Sequence, residues 1–260
     1  MNITMGVPRI KEIISASKKI ATPVITASLI NDKNEENARF VKGRIEKTLL
    51  RDVTKYISEV YQSSGSFLEI KLNKKVINSL FLDIDSSTVV NSIISYTKLK
   101  LKSEDVRGMG KWKVQITNPA KSKESAFFFL QNIKSKVCDI IVSGIKTVER
   151  AVINNTSNKK NDPSYNLLVE GTDLRSVMTT NGVDGTETVC NNPTEIEIYL
   201  GIEAARSVLI KEIQTTMKGH SIDIDVRHMM LIGKIFFFYF IFYIYLYFFF
   251  TFVFFSKVTK

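Results

Sequence analysis

The sequence predicts an α+β fold: two mostly helical segments flank an α+β insert, and an apolar C-terminal stretch lies outside the native fold. Three observations predict it. Apolar residues recur at helical spacing near both ends, at Ile10, Ile13 and Ile14 and again at Ala205, Val208, Leu209, Ile213 and Met217. The middle alternates with period two, at Leu68, Ile70 and Leu72 and at Trp112, Val114 and Ile116, the mark of half-buried strands. Helix and strand signals then interleave from Arg51 to Ile153, as in a mixed layered insert.

The first segment spans residues 1–50. Pro8 suits the first position of a helix, where its missing N–H is no loss. Ile10, Ile13, Ile14 and Ser17 share one face, with Arg9, Lys11, Lys18 and Lys19 off it. Val24 to Ile30 reads as a strand after Pro23, Asn31 to Glu36 as a polar loop, and Ala38 to Lys47 as a short basic helix or turn.

The insert spans residues 51–165. Ser86 or Ser87 caps a helix with an apolar stripe of Val89, Val90, Ile93 and Ile94. Leu99 and Leu101 alternate with lysines. Ala126 to Ile133 reads as a helix, Ile140 to Val142 as a short buried strand, and Asn154 to Pro163 as a loop.

The second flanking segment spans residues 166–233. Leu167 to Gly171 opens it, and Thr172 or Asp173 caps a short helix carrying Leu174, Val177 and Met178. Asn181 to Asn192 is rich in turn formers. Asn192 caps and Pro193 opens the next helix, with Glu195 and Glu197 near its positive end. Gly201 breaks it, and a stronger helix follows, ending at Lys218 and Gly219.

The chain carries 36 basic against 26 acidic side chains, a net charge of +10. Such a field favours polyanions: nucleic acid, an anionic membrane or acidic proteins. Cys138 and Cys190 are too far apart in sequence for a metal-ligand pattern, and two lone thiols suit a reducing compartment. No glycine-rich phosphate loop or nucleophile elbow is present. His220, Asp223, Asp225 and His228 cluster without a standard ligand spacing, so a solvated turn with a structural histidine is the expectation. Asp83 and Asp85 form a second acidic pair, for which local capping is expected. Glu203 and Arg206 suit an exposed intrahelical pair. No catalytic or metal-binding residue is expected. Arg9 and Lys11 can meet phosphates, which need cations but no particular sequence, or can simply form a solvated face.

These residues resemble one family, the largest subunit of eukaryotic RNA polymerases, and the type III enzyme in particular. Met1 to Ile14 resembles the segment that follows the trigger loop, and Val41-Lys-Gly-Arg-Ile-Glu-Lys-Thr-Leu-Leu50 resembles the type III version. Leu168-Val-Glu-Gly171, Leu174-Arg-Ser-Val-Met178, Gly182-Val-Asp-Gly-Thr186, Leu200-Gly-Ile-Glu-Ala-Ala-Arg206, Glu212-Ile-Gln214 and Arg227-His-Met-Met-Leu231 follow in family order. The resemblance covers residues 1–232.

The resemblance implies DNA-templated synthesis of small RNAs, such as transfer RNA and 5S ribosomal RNA, in the nucleus. It implies that residues 1–50 hold the trigger-loop base and first cleft segment, 51–165 a jaw-like insert, and 166–233 the second cleft segment. Asn2, Thr4, Gly6 and Pro8 would be the trigger-loop base, and Arg9, Lys11, Lys42 and Arg44 the candidate nucleic-acid contacts. The implied partners are the other RNA polymerase III subunits, the DNA template and the RNA–DNA hybrid. The family's Asn-Ala-Asp-Phe-Asp-Gly-Asp loop, which chelates catalytic Mg2+, does not occur in this sequence. No cofactor is expected in this chain; Mg2+ and structural Zn2+ would be held by other segments of the polymerase. The chain is therefore expected to be an interior piece of a longer product, inactive alone. Two residues depart from the family: Glu187 stands where Arg is usual, and Cys190 where Ser is usual.

Residues 234–260 form an apolar tail. Between Ile235 and Phe255, 11 of 21 residues are Phe and four are Tyr, while Gly, Ala and Pro are absent. That length can span a bilayer, but membrane helices draw heavily on small residues. Phe, Tyr, Ile, Leu and Lys can all be written with A/T-only codons, and Gly233-Lys234 is compatible with an intron donor. Intron translation is the expectation; a tail-anchored membrane protein with a basic soluble domain is the alternative, separated by cDNA sequence across Gly233.

Overall fold

The computed structural model describes residues 4, 6–15, 17–62, 65–97, 99, 101–117, 123–156, 164–231 and 233–234. In chain order its elements are α1 (Val7–Ile14), β1 (Val24–Leu29), α2 (Glu35–Ile45), β2 (Thr48–Leu49), α3 (Leu50–Val53), β3 (Thr54–Gln62) and β4 (Gly65–Leu72). Then come α4 (Lys74–Ser79), α5 (Ser86–Ser95), β5 (Val106–Gly108), β6 (Lys113–Thr117), α6 (Lys123–Val137), β7 (Ile141–Ser143) and β8 (Val148–Asn155). β9 (Tyr165–Gly171), α7 (Leu174–Met178), β10 (Val183–Cys190), α8 (Pro193–Leu200) and α9 (Ile202–Gly219) complete them. The fold is α+β, as the two periodicities predict.

Two compact units result: residues 1–25 with 189–260, and residues 26–188. The chain passes from one to the other within β1 and within β10.

The larger unit holds a self-contained core whose buried members all fall between Leu50 and Ile140. Its sheet has the order β3-β4-β6-β5 and is antiparallel throughout. Leu68 and Ile70 of β4 sit opposite Ile116 and Val114 of β6, so the period-two pattern places all four on one buried face. Val89 and Ile93 of α5 and Leu130, Ile133 and Val137 of α6 complete this core. A second sheet has the order β10-β1-β9-β8, with β8 and β9 joined as an antiparallel hairpin. α2 packs against β8 and β9, burying Ala38, Val41 and Ile45. Because β8 starts at Val148, the insert's last strand belongs to the sheet of the flanking segments, across the boundary drawn at residue 165.

In the smaller unit α1 meets α9, and Ile13 packs with Leu209, Ile213 and Met229. Asn192 Oδ1 accepts from Thr194 N at 3.3 Å as the N-cap of α8, with Pro193 in the first turn. Gly201, at φ 88°, ends α8 and precedes α9, as expected of the break.

Several local expectations need correction. Within Asn181 to Asn192 the stretch Val183–Cys190 is a strand, β10, because a sheet neighbour outweighs its turn-forming composition. Asp184 keeps its turn chemistry inside the strand, its carboxylate accepting from Thr186 N at 2.9 Å. α2 starts at Glu35, within the expected loop. The cap of α5 is Asp85 rather than a serine, and its N–H donates to Thr88 Oγ1 at 3.0 Å. Leu99 is buried in the core without lying in a strand. Asp223 and Asp225 do not share a strand; residues 222–225 are irregular and 226–231 helical. Of the expected loop at Asn154 to Pro163, residues 157–163 lie outside the described residues, as does the apolar tail from 235. Among the described residues no helix is long and apolar enough to cross a membrane.

Candidate functional site

α1 is entered by a backbone that only glycine adopts freely. Gly6 has φ 84° and ψ −152°, and it is buried beneath His220. Pro8 sits exposed in the first helical turn. Thr4 N donates to Thr22 Oγ1 at 3.0 Å, and the two hydroxyls are 2.7 Å apart. Asn2 lies outside the described residues.

Arg9 departs most from expectation. It is only 2% exposed, whereas Ile14, assigned to the apolar face, is 61% exposed. The buried stripe of α1 is Gly6, Arg9 and Ile13, one helical position round from the one the isoleucines suggest. Arg9 can be buried because its two terminal nitrogens find acceptors. Nη1 donates to Glu12 Oε2 at 3.2 Å, and Nη2 donates to the Asn191 carbonyl at 2.6 Å and to Glu212 Oε2 at 3.1 Å. Nε is buried with no partner among the described residues.

Asn191 is itself fixed. Its Oδ1 accepts from Val24 N at 3.0 Å and its Nδ2 donates to Thr22 O at 2.9 Å. Glu12 Oε1 also accepts from Ala21 N at 3.1 Å. A continuous set of hydrogen bonds therefore runs from Glu212 through Arg9, Asn191 and Thr22 to Thr4. Sequence reasoning missed Asn191 and Glu212 as partners. For Glu212 a signal was present: it borders the buried stripe of Leu209, Ile213 and Thr216.

The other candidate cations are more open. Lys11 is exposed and, among the described residues, has no ion-pair partner. Lys42 and Arg44 lie on α2. Lys42 pairs with Glu46 at 3.6 Å, and Arg44 with Asp83 at 3.4 Å. Lys42 also lines a cleft of about 290 Å³, with Arg39, Glu46, Leu80 and Phe81.

Cys190 is buried, and desolvation pushes its thiol up to about 12. Asn192 N donates to its Sγ at 3.3 Å, and the Glu195 carboxylate lies 3.8 Å away. Glu187 is exposed on β10, its carbonyl accepting from Ser28 Oγ at 3.4 Å. Glu203 and Arg206 form the expected intrahelical pair at 3.3 Å. Asp225 accepts from Arg227 N at 2.9 Å, a local cap. Among the described residues no three His, Cys, Asp or Glu side chains gather closely enough to hold a metal ion.

The model of the family described as "RNA polymerase Rpb1, domain 5" matches residues 1–242, and the chain belongs to that family. Its relatives include subunits of RNA polymerase III. The chain is 47% identical over 235 residues to the Dictyostelium discoideum DNA-directed RNA polymerase III subunit rpc1, covering 90% of this chain and 16% of that protein. It is 48% identical over 235 residues to the Homo sapiens subunit RPC1, covering 90% of this chain and 17% of that one. The Saccharomyces cerevisiae RPC1 is 41% identical over 249 residues, with 90% and 17% covered. The chain thus spans about a sixth of the length of these relatives.

Proposed function

We propose that this chain forms part of the cleft and jaw of an RNA polymerase III largest subunit and anchors the trigger loop. The observation that carries the reading is the 47% identity to the Dictyostelium RNA polymerase III subunit, sustained over 235 residues rather than confined to one motif. Residues 1–50 and 166–233 are the cleft segments and 51–165 the jaw-like insert. The self-contained core between Leu50 and Ile140 supports treating the insert as a distinct structural body.

Thr4, Gly6 and Pro8, with Asn2 ahead of them, form the trigger-loop base. Lys11, Lys42 and Arg44 contact phosphates of downstream DNA or of the RNA–DNA hybrid. Arg9 supports the same site from inside, since its guanidinium is engaged by Glu12, Asn191 and Glu212. The chain acts in the nucleus with the other polymerase subunits, in synthesis of small RNAs such as transfer RNA and 5S ribosomal RNA. Mg2+ and structural Zn2+ belong to other segments of that polymerase, so the chain alone does not polymerise nucleotides. Magnesium-dependent RNA synthesis by the purified chain would overturn that last statement.

The test is replacement. Residues 1–234 are exchanged for the matching segment of the Dictyostelium subunit, and RNA polymerase III is purified and assayed on a transfer-RNA gene. Transcription at a rate near that of the unaltered enzyme is expected. An enzyme that assembles but cannot elongate overturns the reading.

A further inference from the structure

α1 has eight residues, barely two turns, and its N-cap makes no side-chain hydrogen bond. A helix that short is not stable by itself, so tertiary contacts set its position. Beside the Glu12–Ala21 hydrogen bond and the approach of Gly6 to His220, two side chains hold its buried face. Ile13 enters the cluster of Leu209, Ile213 and Met229, a non-directional contact that tolerates sliding and rotation. Arg9 is directional: its planar fork meets acceptors on α1 itself, on α9 and on the backbone at Asn191. Asn191 is in turn bound to Val24 and Thr22, and Thr22 holds Thr4. This guanidinium, together with the Glu12–Ala21 hydrogen bond, therefore holds both the rotation of α1 and the place where the chain leaves it toward Thr4.

We propose that Arg9 is a positioning residue for nucleotide addition, holding α1 in the one register from which the trigger loop closes productively. This rests on the reading of residues 4–8 as the trigger-loop base. Arg9 touches neither nucleotide nor nucleic acid in this role. It acts through Gly6 and Thr4, and loosening it widens the range of positions from which the loop must close. The effect falls on the rate of the closed, reacting state rather than on nucleotide binding to the open one.

The experiment uses the assembled polymerase III carrying residues 1–234 of this chain. Single-nucleotide addition is measured in stalled elongation complexes of the parent, Arg9→Met, Arg9→Lys and Ile213→Val, each normalised to the fraction of complexes that extend. Arg9→Met is expected to lower the maximal addition rate about tenfold while the nucleotide KM stays within about twofold. Arg9→Lys, which retains the charge but not the fork, is expected to fall between, and Ile213→Val, which loosens only apolar packing, to match the parent. If Arg9→Met does not assemble, Arg9→Lys carries the test alone. An active parent with Arg9 variants adding nucleotides at the parental rate overturns the proposal but leaves the trigger-loop reading standing. Equal slowing by Ile213→Val also overturns it, because general loosening would then suffice. An inactive parent overturns the reading of residues 4–8 and the proposal with it.

Discussion

Gly6 lies so close under His220 that a Cβ on the glycine would come within 2.8 Å of the imidazole Nε2. The same glycine holds φ at 84°, where side chains are disfavoured. Two separate penalties therefore guard this position. The imidazole is exposed and can swing aside, whereas the dihedral cannot relax without moving the start of α1.

Gly6→Ala is accordingly expected to destabilise the chain by about 1–3 kcal/mol, and His220→Ala in that background to recover only a minor part. Urea unfolding of the parent and these two variants measures both. Gly144 makes the useful contrast, since a Cβ there would lie 2.1 Å from the Glu46 backbone carbonyl, which has no side-chain freedom. Gly144→Ala is expected to cost about 3–5 kcal/mol, more than Gly6→Ala.

Arg9→Met leaves Glu12 and Glu212 without their shared cation, but their side chains are 19% and 27% exposed and can be hydrated. The expected loss is about 2–4 kcal/mol, somewhat below that for a fully buried pair. Glu212→Gln leaves Arg9 its bonds to Glu12 and Asn191 and should cost about 1 kcal/mol. A lower melting temperature for Glu212→Gln than for Arg9→Met would contradict this order.

The cations also separate by salt dependence. Lys11→Ala is expected to weaken binding to duplex DNA and to reduce the slope of log K against log salt by about one. Arg9→Met, whose charge is already neutralised inside the protein, should leave that slope unchanged. Lys42→Ala and Arg44→Ala should fall between, because Glu46 and Asp83 already partly occupy those charges. Titrations at several salt concentrations test all four.

Cys190 gives a pH prediction. Its thiol is raised from 9.0 to about 12 by burial, so between those values the unfolded chain releases a proton that the folded chain retains. Stability from this group is intact below pH 9 and declines as pH rises, by up to about 1.4 kcal/mol per unit. Cys190→Ser removes the titrating group, so the variant's stability should fall less steeply than the parent's over that window. Iodoacetamide at pH 8 should spare Cys190 in the folded chain and modify it in urea. Equal slopes above pH 9 would contradict the assignment.

Much of this fold was legible because its signals are local. Leu68, Ile70, Val114 and Ile116 announce two strands by alternation, and all four are fully buried. Asn192, Pro193 and Gly201 mark helix boundaries through dihedral and capping preferences that hold in nearly any context. β10 was not legible, since Gly182, Asp184 and Gly185 favour turns and only a neighbouring strand overrides them. Arg9 failed for a related reason. Charge assigns an arginine to the surface unless acceptors are known to wait for it, and Glu212 and Asn191 are remote in sequence. Arg9 therefore lies on the buried side of α1 rather than the exposed one, while Lys11 is exposed as its charge suggests.

The Arg9–Glu212 bond spans 203 residues of sequence. At roughly 5–20 residues per second, a ribosome that has made Arg9 needs on the order of 10–40 s more to make Glu212. The core between Leu50 and Ile140 draws only on nearby sequence and can form in that interval. Arg9 must wait through it in the nascent chain, solvated and uncommitted. The residue that fastens α1 most specifically is thus among the last to find its place, and α1 acquires its final register late in synthesis.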